Sequence, residues 1–146
     1  MNLTCDNTHK RGITKVSCDS DIVTIENDLV SYRYNLYPNF YILPDSALIN
    51  ESESALPEAT INIDGDRYMA GGHTRSGNRF YVDDYTVSPV FNDNGEIFGL
   101  DTVFFFINNS FKGIALLLTI RLYDGAGKSE RSLVIENRTN HVVVVE

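Results

Sequence analysis

From Ile97 to the C-terminus the chain reads as alternating apolar runs cut by turn residues, a pattern that few folds accommodate. Ile114, Leu116, Leu118, Ile120 and Leu122 recur at every second position, against Thr119, Arg121 and Tyr123 between them. Successive side chains of a strand point to opposite faces, so this spacing sends one set into a core and the other outward. The run before it, Ile97 to Ile107, turns apolar on both faces at Val103, Phe104, Phe105, Phe106 and Ile107. That composition predicts a central strand covered on both sides. Asn92-Asp93-Asn94-Gly95 and Asp124-Gly125-Ala126-Gly127 supply the turns, because Asn, Asp and Gly tolerate positive φ. Leu133–Glu136 and Val142–Val145 are expected to finish the sheet.

The same grammar holds upstream. Val30, Tyr32, Tyr34 and Leu36 point one way and Ser31, Arg33 and Asn35 the other, as in a half-buried strand that Pro38 interrupts. Asp64-Gly65-Asp66 predicts a hairpin turn between Ile61/Ile63 and Arg67–Ala70. Phe80 and Val82 set one parity and Tyr85 and Val87 the opposite one, which predicts a β-bulge at Asp83-Asp84. Residues 1–20 read as polar and irregular, apart from a short strand at Ile13–Cys18. Residues 45–59 read as an acidic loop, with Pro57 limiting any helix that Asp45 could cap.

Turn signals at intervals of roughly ten residues predict one antiparallel β-sandwich, immunoglobulin-like or jelly-roll-like, of roughly seven to nine strands. Leu116, Leu118, Ile120, Phe104 and Phe106 belong in its core. One domain of 146 residues is long enough to fold without a metal or a disulfide. The segment 104–128 resembles the FxLYD-type immunoglobulin-like segment of some bacterial proteins. The matching positions are Asn108, Asn109, Leu122, Tyr123, Asp124, Gly127 and Lys128. The resemblance implies an immunoglobulin-like sandwich and no activity.

Charge narrows the function classes. A net charge of −8 removes the attraction to phosphate that nucleic-acid binding depends on. The longest clean apolar run, Ile114 to Ile120, is far short of a helical membrane span. No basic and apolar leader follows Met1, and a cytoplasmic location is the expectation. Cys5 and Cys18 could close a short loop in an oxidising compartment, but free thiols are the favoured reading. Sequons at Asn2, Asn50, Asn108 and Asn137 say little in a chain this rich in Asn, Ser and Thr.

The charges are also segregated. Residues 19–66 hold ten of the twenty acidic side chains and one base, Arg33, whereas residues 67–79 hold Arg67, Arg75, Arg79 and His73 with no acid. The first reading is a non-enzymatic acidic binding module, of the inhibitor, immunity or assembly type. Glu51, Glu53 and Glu58 would steer a basic protein partner, and Tyr37 and Tyr41 would add aromatic contact area. The second reading uses Gly71 to Arg79. Its glycines let backbone N–H groups approach an anion, and His73, Arg75 and Arg79 suit a phosphate or nucleotide. As a hydrolase site this loop has no obvious nucleophile or orienting partner. No cofactor or metal is expected, since His9, His73 and His141 are scattered and no acidic turn has the spacing of a calcium loop. A homo-oligomer is compatible with either reading.

Overall fold

The computed structural model describes residues 8–11, 13–37, 39–43, 59–72, 78–108, 113–140 and 142–144. Among these the fold is entirely β, with eleven strands and no helix. Five form one sheet in the order β1 (Thr8–Arg11), β2 (Thr14–Asp19), β3 (Ile22–Glu26), β4 (Ser31–Asn35) and β5 (Tyr41–Ile42). Six form the second: β6 (Ala59–Ile63), β7 (Asp66–Ala70), β8 (Asn78–Phe91), β9 (Ile97–Ile107), β10 (Ile114–Tyr123) and β11 (Glu130–Asn137). Its spatial order is β11-β10-β9-β8-β7-β6, and the sheet curls into a half-barrel.

Each sheet follows chain order because short turns join its neighbours. Ser20 and Asp21, at φ 48° and 66°, turn β2 into β3, and Asp64 and Gly65, at φ 49° and 89°, turn β6 into β7. Two consecutive positive φ angles match the right-handed twist of the flanking strands. The Asn92–Gly95 turn closes on Asn92, whose carboxamide oxygen accepts the N–H groups of Asn94 and Glu96. The expected bulge lies between Val82 and Asp84, where the β8–β9 register shifts.

One apolar cluster draws on both sheets. Val16, Val23, Ile25, Tyr34 and Phe40 meet Phe80, Leu100, Phe104, Phe106, Leu116, Ile120 and Leu122, each at most 2% exposed. Phe40 stacks on Tyr34 at 5.2 Å between ring centroids and meets Phe104 at 4.8 Å and Phe106 at 5.2 Å. The two sheets are also tied at the β10–β11 turn. Asp124 Oδ1 accepts from the Thr14 amide at 3.0 Å and from its hydroxyl at 2.5 Å, and Asn27 Nδ2 donates to the carbonyls of Tyr123 and Ala126.

Four expectations need correction. The strand expected at Ile13–Cys18 is present as β2, but residues 8–11 are not irregular, because Thr8–Arg11 pairs antiparallel with Thr14–Ser17. Among the described residues the strands number eleven, since β1 and the two-residue β5 extend the first sheet. Val142–Val144 is not a strand. It ties to the β6–β7 turn, where Val144 O accepts from Asp64 N at 2.9 Å and Val144 N donates to Asp64 Oδ1 at 3.0 Å. Cys18 is disulfide-bonded rather than free; the chain's other cysteine, Cys5, lies outside the described residues. Composition alone has no signal for such a bridge, which depends on two Cα atoms coming within reach.

Two measurements check these features. Leu118, 5% exposed against the core, should cost about 2–5 kcal/mol when cut to Ala, read as a lower urea midpoint at unchanged slope. Reducing the disulfide, or Cys18→Ser, should remove about 3 kcal/mol by freeing the unfolded chain. Equal midpoints with and without reductant would contradict the bridge.

Candidate functional site

The loop between β7 and β8 joins two parallel strands, Tyr68↔Asn78 through Ala70↔Phe80. Parallel neighbours ordinarily need a crossover of a dozen or more residues. Here only three residue pairs are involved, so the chain returns over about 10 Å, which a short loop can span. Gly71 and Gly72, at φ 73° and 88°, start the return. A Cβ at Gly71 would lie 2.4 Å from the Phe40 carbonyl oxygen, the same oxygen that accepts the Gly72 amide at 2.7 Å. These glycines therefore serve the joint between the sheets.

Arg79 closes the other end of the loop. It is 7% exposed, and its Nη1 donates to Gly72 O at 3.0 Å. Its own carbonyl accepts from Asn108 Nδ2 at 3.0 Å. Asn108, 5% exposed, is thereby committed to the fold, and its sequon is closed to modification in this state. His73 and Arg75 lie outside the described residues, as do Glu51, Glu53 and Glu58 and residues 45–58 of the acidic loop.

The aromatic cluster divides. Tyr32, Tyr34 and Phe40 are core residues, with the Tyr32 hydroxyl accepting from Ser129 N at 3.3 Å and that of Tyr34 accepting from Arg131. Tyr37 is 51% exposed in a turn held by Asn35 Nδ2, which donates to Tyr37 O and Asn39 O. Tyr41 is half-buried and pairs with Asn35 on the outer face of the first sheet. That face is polar almost throughout: Lys15, Glu26 and Ser31 form one row, Ser17, Thr24 and Arg33 the next.

The outer face of the six-stranded sheet is different. Registers β8–β9, β9–β10 and β10–β11 align Asp84, Phe105, Leu117 and Val134 in one cross-strand row. Tyr81 and Ile107 lie in the row on one side, Thr86, Val103, Thr119 and Ser132 in the row on the other. Phe105, Leu117, Ile107 and Val103 are half-buried, Tyr81 is 42% exposed and Val134 55%. Contiguous apolar surface of this kind marks interaction sites on soluble proteins. Among the described residues β9 is fully buried on its Phe104/Phe106 face and half-buried on the other.

A charged row borders this patch: Ser88, Asp101, Arg121 and Glu130. Arg121 grips Asp101 with two bonds, Nε to Oδ1 at 2.7 Å and Nη2 to Oδ2 at 2.8 Å, and reaches Tyr123 Oη at 3.4 Å. The Asp101 carboxylate, then the Tyr123 hydroxyl, hold this guanidinium protonated beyond its ordinary range. Thr119, Arg121, Glu130, Arg131 and Ser132 line a shallow polar hollow of about 220 Å³ beside it.

Among the described residues, no group of three or more His, Cys, Asp and Glu side chains converges as a metal site would require. No helix among them is long and apolar enough to cross a membrane. No protein-family model, curated protein or solved structure matches this chain.

Proposed function

We propose that this chain is a single immunoglobulin-like β-sandwich acting as a non-enzymatic, acidic module that binds a protein partner. The observation that carries the reading is the contrast between the two outer faces, one polar and one bearing Phe105, Leu117, Ile107, Val103, Tyr81 and Val134. A sheet face that served only solvent would alternate to polar residues, as the first sheet does. Apolar side chains in the centre, with the Asp101–Arg121 pair at the border, give the core-and-rim layout of a protein interface. The sandwich reading is supported by the apolar cluster drawn from both sheets and by the resemblance of residues 104–128 to an FxLYD-type segment, which runs from the end of β9 through β10 into the turn after it.

The net charge of −8 supports a basic partner, steered by long-range attraction before the apolar face docks. Arg79, buried on Gly72 O, is spent on the loop's closure, which supports the protein-partner reading over the anion reading. The disulfide at Cys18 supports an oxidising compartment over the cytoplasmic expectation, because cytosolic thiol pools keep such bridges reduced.

The test compares immobilised wild type with Phe105→Lys/Leu117→Lys in capture from extracts of the source cell and its surroundings. A protein enriched by the wild type should weaken about thirtyfold or more on the variant, as loss of a central anchor does. Neutralising Glu51, Glu53 and Glu58 should slow its association and flatten the salt dependence while leaving dissociation nearly unchanged. Equal capture by wild type and variant, or recovery of a phosphorylated small molecule instead, would sink the reading.

A further inference from the structure

Edge strands carry rows of unpaired backbone groups, and natural sheets guard them with short length, charge, proline or bulges. Three of the four edges here are short: β1 has four residues, β5 two and β6 five. The fourth, β11, has eight residues, Glu-Arg-Ser-Leu-Val-Ile-Glu-Asn, with no proline, and pairs with β10 without a register break. Arg138 N–H donates to Gly113 O, which fixes the alternation of the ladder. By that alternation Val134 bonds inward to Leu117, while the amides and carbonyls of Leu133 and Ile135 point away from β10. None of the described backbone bonds satisfies that outer side of Leu133 or Ile135.

We propose that a second copy of this chain pairs with β11, antiparallel about a two-fold axis through Val134, joining two six-stranded sheets into one. The register follows from the sequence of the strand. A two-fold axis perpendicular to the sheet keeps faces matched, so each residue meets one of its own parity. Centred on Val134, the axis places Val134 opposite Val134, Leu133 opposite Ile135, Ser132 opposite Glu136, and Glu130 opposite Arg138 of the second copy. The outward groups of Leu133 and Ile135 then bond each other across the axis. Centred on Leu133, it would instead set Glu130 against Glu136 twice, a like-charge clash. Centred on Ile135, it would set Val134 against Glu136.

The packing agrees with the charges. The row Phe105–Leu117–Val134 ends at the open edge, and the Val134-centred register continues it as Val134–Leu117–Phe105 of the second copy. Arg138 already bonds Glu136 at 2.7 Å within the chain, so Glu130 of the second copy joins an existing cluster on its exposed side. This proposal stands on the edge of β11 and does not depend on the protein-partner reading. A dimer with no partner, or a partner with no dimer, separates the two.

The test uses the full chain and two single cysteines. In Val134→Cys the two thiols face each other across the axis, with Cβ atoms about 4.5–5.5 Å apart, and mild oxidation should give a covalent dimer on a non-reducing gel. In Ser132→Cys the two thiols stand about 14 Å apart along the strands and should stay uncrosslinked. Both sites are exposed, so folding is expected to survive, and circular dichroism checks it. By sedimentation, the wild type should dimerise in a concentration-dependent way, and Val134→Lys should weaken this at least about tenfold by placing two ammonium groups on the axis. A wild type that stays monomeric at about 100 µM would overturn the proposal. So would Ser132→Cys crosslinking as readily as Val134→Cys.

Discussion

The fold turns on Phe40. Its ring lies flat on Tyr34 from the first sheet and edge-on or tilted against Phe106 and Phe104 from the second. Its carbonyl accepts the Gly72 amide, and Gly71 comes so close that no Cβ fits there. One residue between β4 and β5 therefore fixes the separation of the sheets and the point at which β7 must turn back. Aromatic rings in offset and edge-to-face arrangements add about 0.5–1.5 kcal/mol per pair beyond their area. Losing Phe40 would remove several such pairs and the seat of the β7–β8 loop together. At the opposite end, Asp124 on Thr14 and Asn27 on the Tyr123 and Ala126 carbonyls hold the same separation with hydrogen bonds instead of rings.

That joint determines what the remaining polar groups can do. Arg79 follows a loop whose start is pinned at Gly71 and Gly72, so its side chain points back to the Gly72 carbonyl and is buried. A guanidinium held in this way is well hydrogen-bonded and poorly placed to greet a ligand arriving from solvent. Arg121, on the outer face of the same six-stranded sheet, forms the contrasting case. Its bidentate pair with Asp101 is part-exposed and lies in the row that borders the apolar patch. Exposed pairs contribute little to stability. Their value here is geometric, since they give the patch a defined polar boundary.

Much of the strand pattern was legible because one-sided burial writes itself directly into the sequence. The alternation of β4 and β10, the turns at Asp64-Gly65 and Asn92–Gly95 and the bulge at Asp83-Asp84 are local signals, each satisfied by a few neighbouring residues. What escaped was non-local. The hairpin of β1 and β2 pairs the polar run Thr8–Arg11 with Thr14–Ser17, and a polar run carries no burial pattern from which that pairing could be read. The parallel pairing of β7 and β8 has no sequence signature, because it follows from the Phe40–Gly72 contact between segments far apart in the chain. Of the proposed site residues, Arg79 read as a ligand group since its composition is that of an anion loop. Its burial could only come from the fold. The apolar outer face has the opposite history: Val103 to Ile107 are as apolar as a central strand should be, and β9 does lie between β8 and β10, but among the described residues its Val103, Phe105 and Ile107 side is only half-buried.

The edges complete this logic. Chain order within each sheet leaves four edges. The chain shortens three of them and carries its C-terminal segment away from the fourth, to the β6–β7 turn, where Val144 and Asp64 bond reciprocally and Val143 packs on the core. Had that segment folded back along β11, it would have satisfied the outward groups of Leu133 and Ile135 as another strand. Instead the chain departs after Arg138, whose amide still bonds Gly113 O, and the longest edge keeps apolar residues at its centre with charged ones toward both ends. A lone edge of this kind is an aggregation hazard, because any extended chain can pair with it. A closed two-fold pairing removes that hazard at β11, since each copy uses up the other's long edge and only the short edges β1, β5 and β6 remain. The charges make the closure selective: Glu130 and Arg138 match only in the Val134-centred register, and slipped registers meet like charge or bury Glu136 against an apolar side chain.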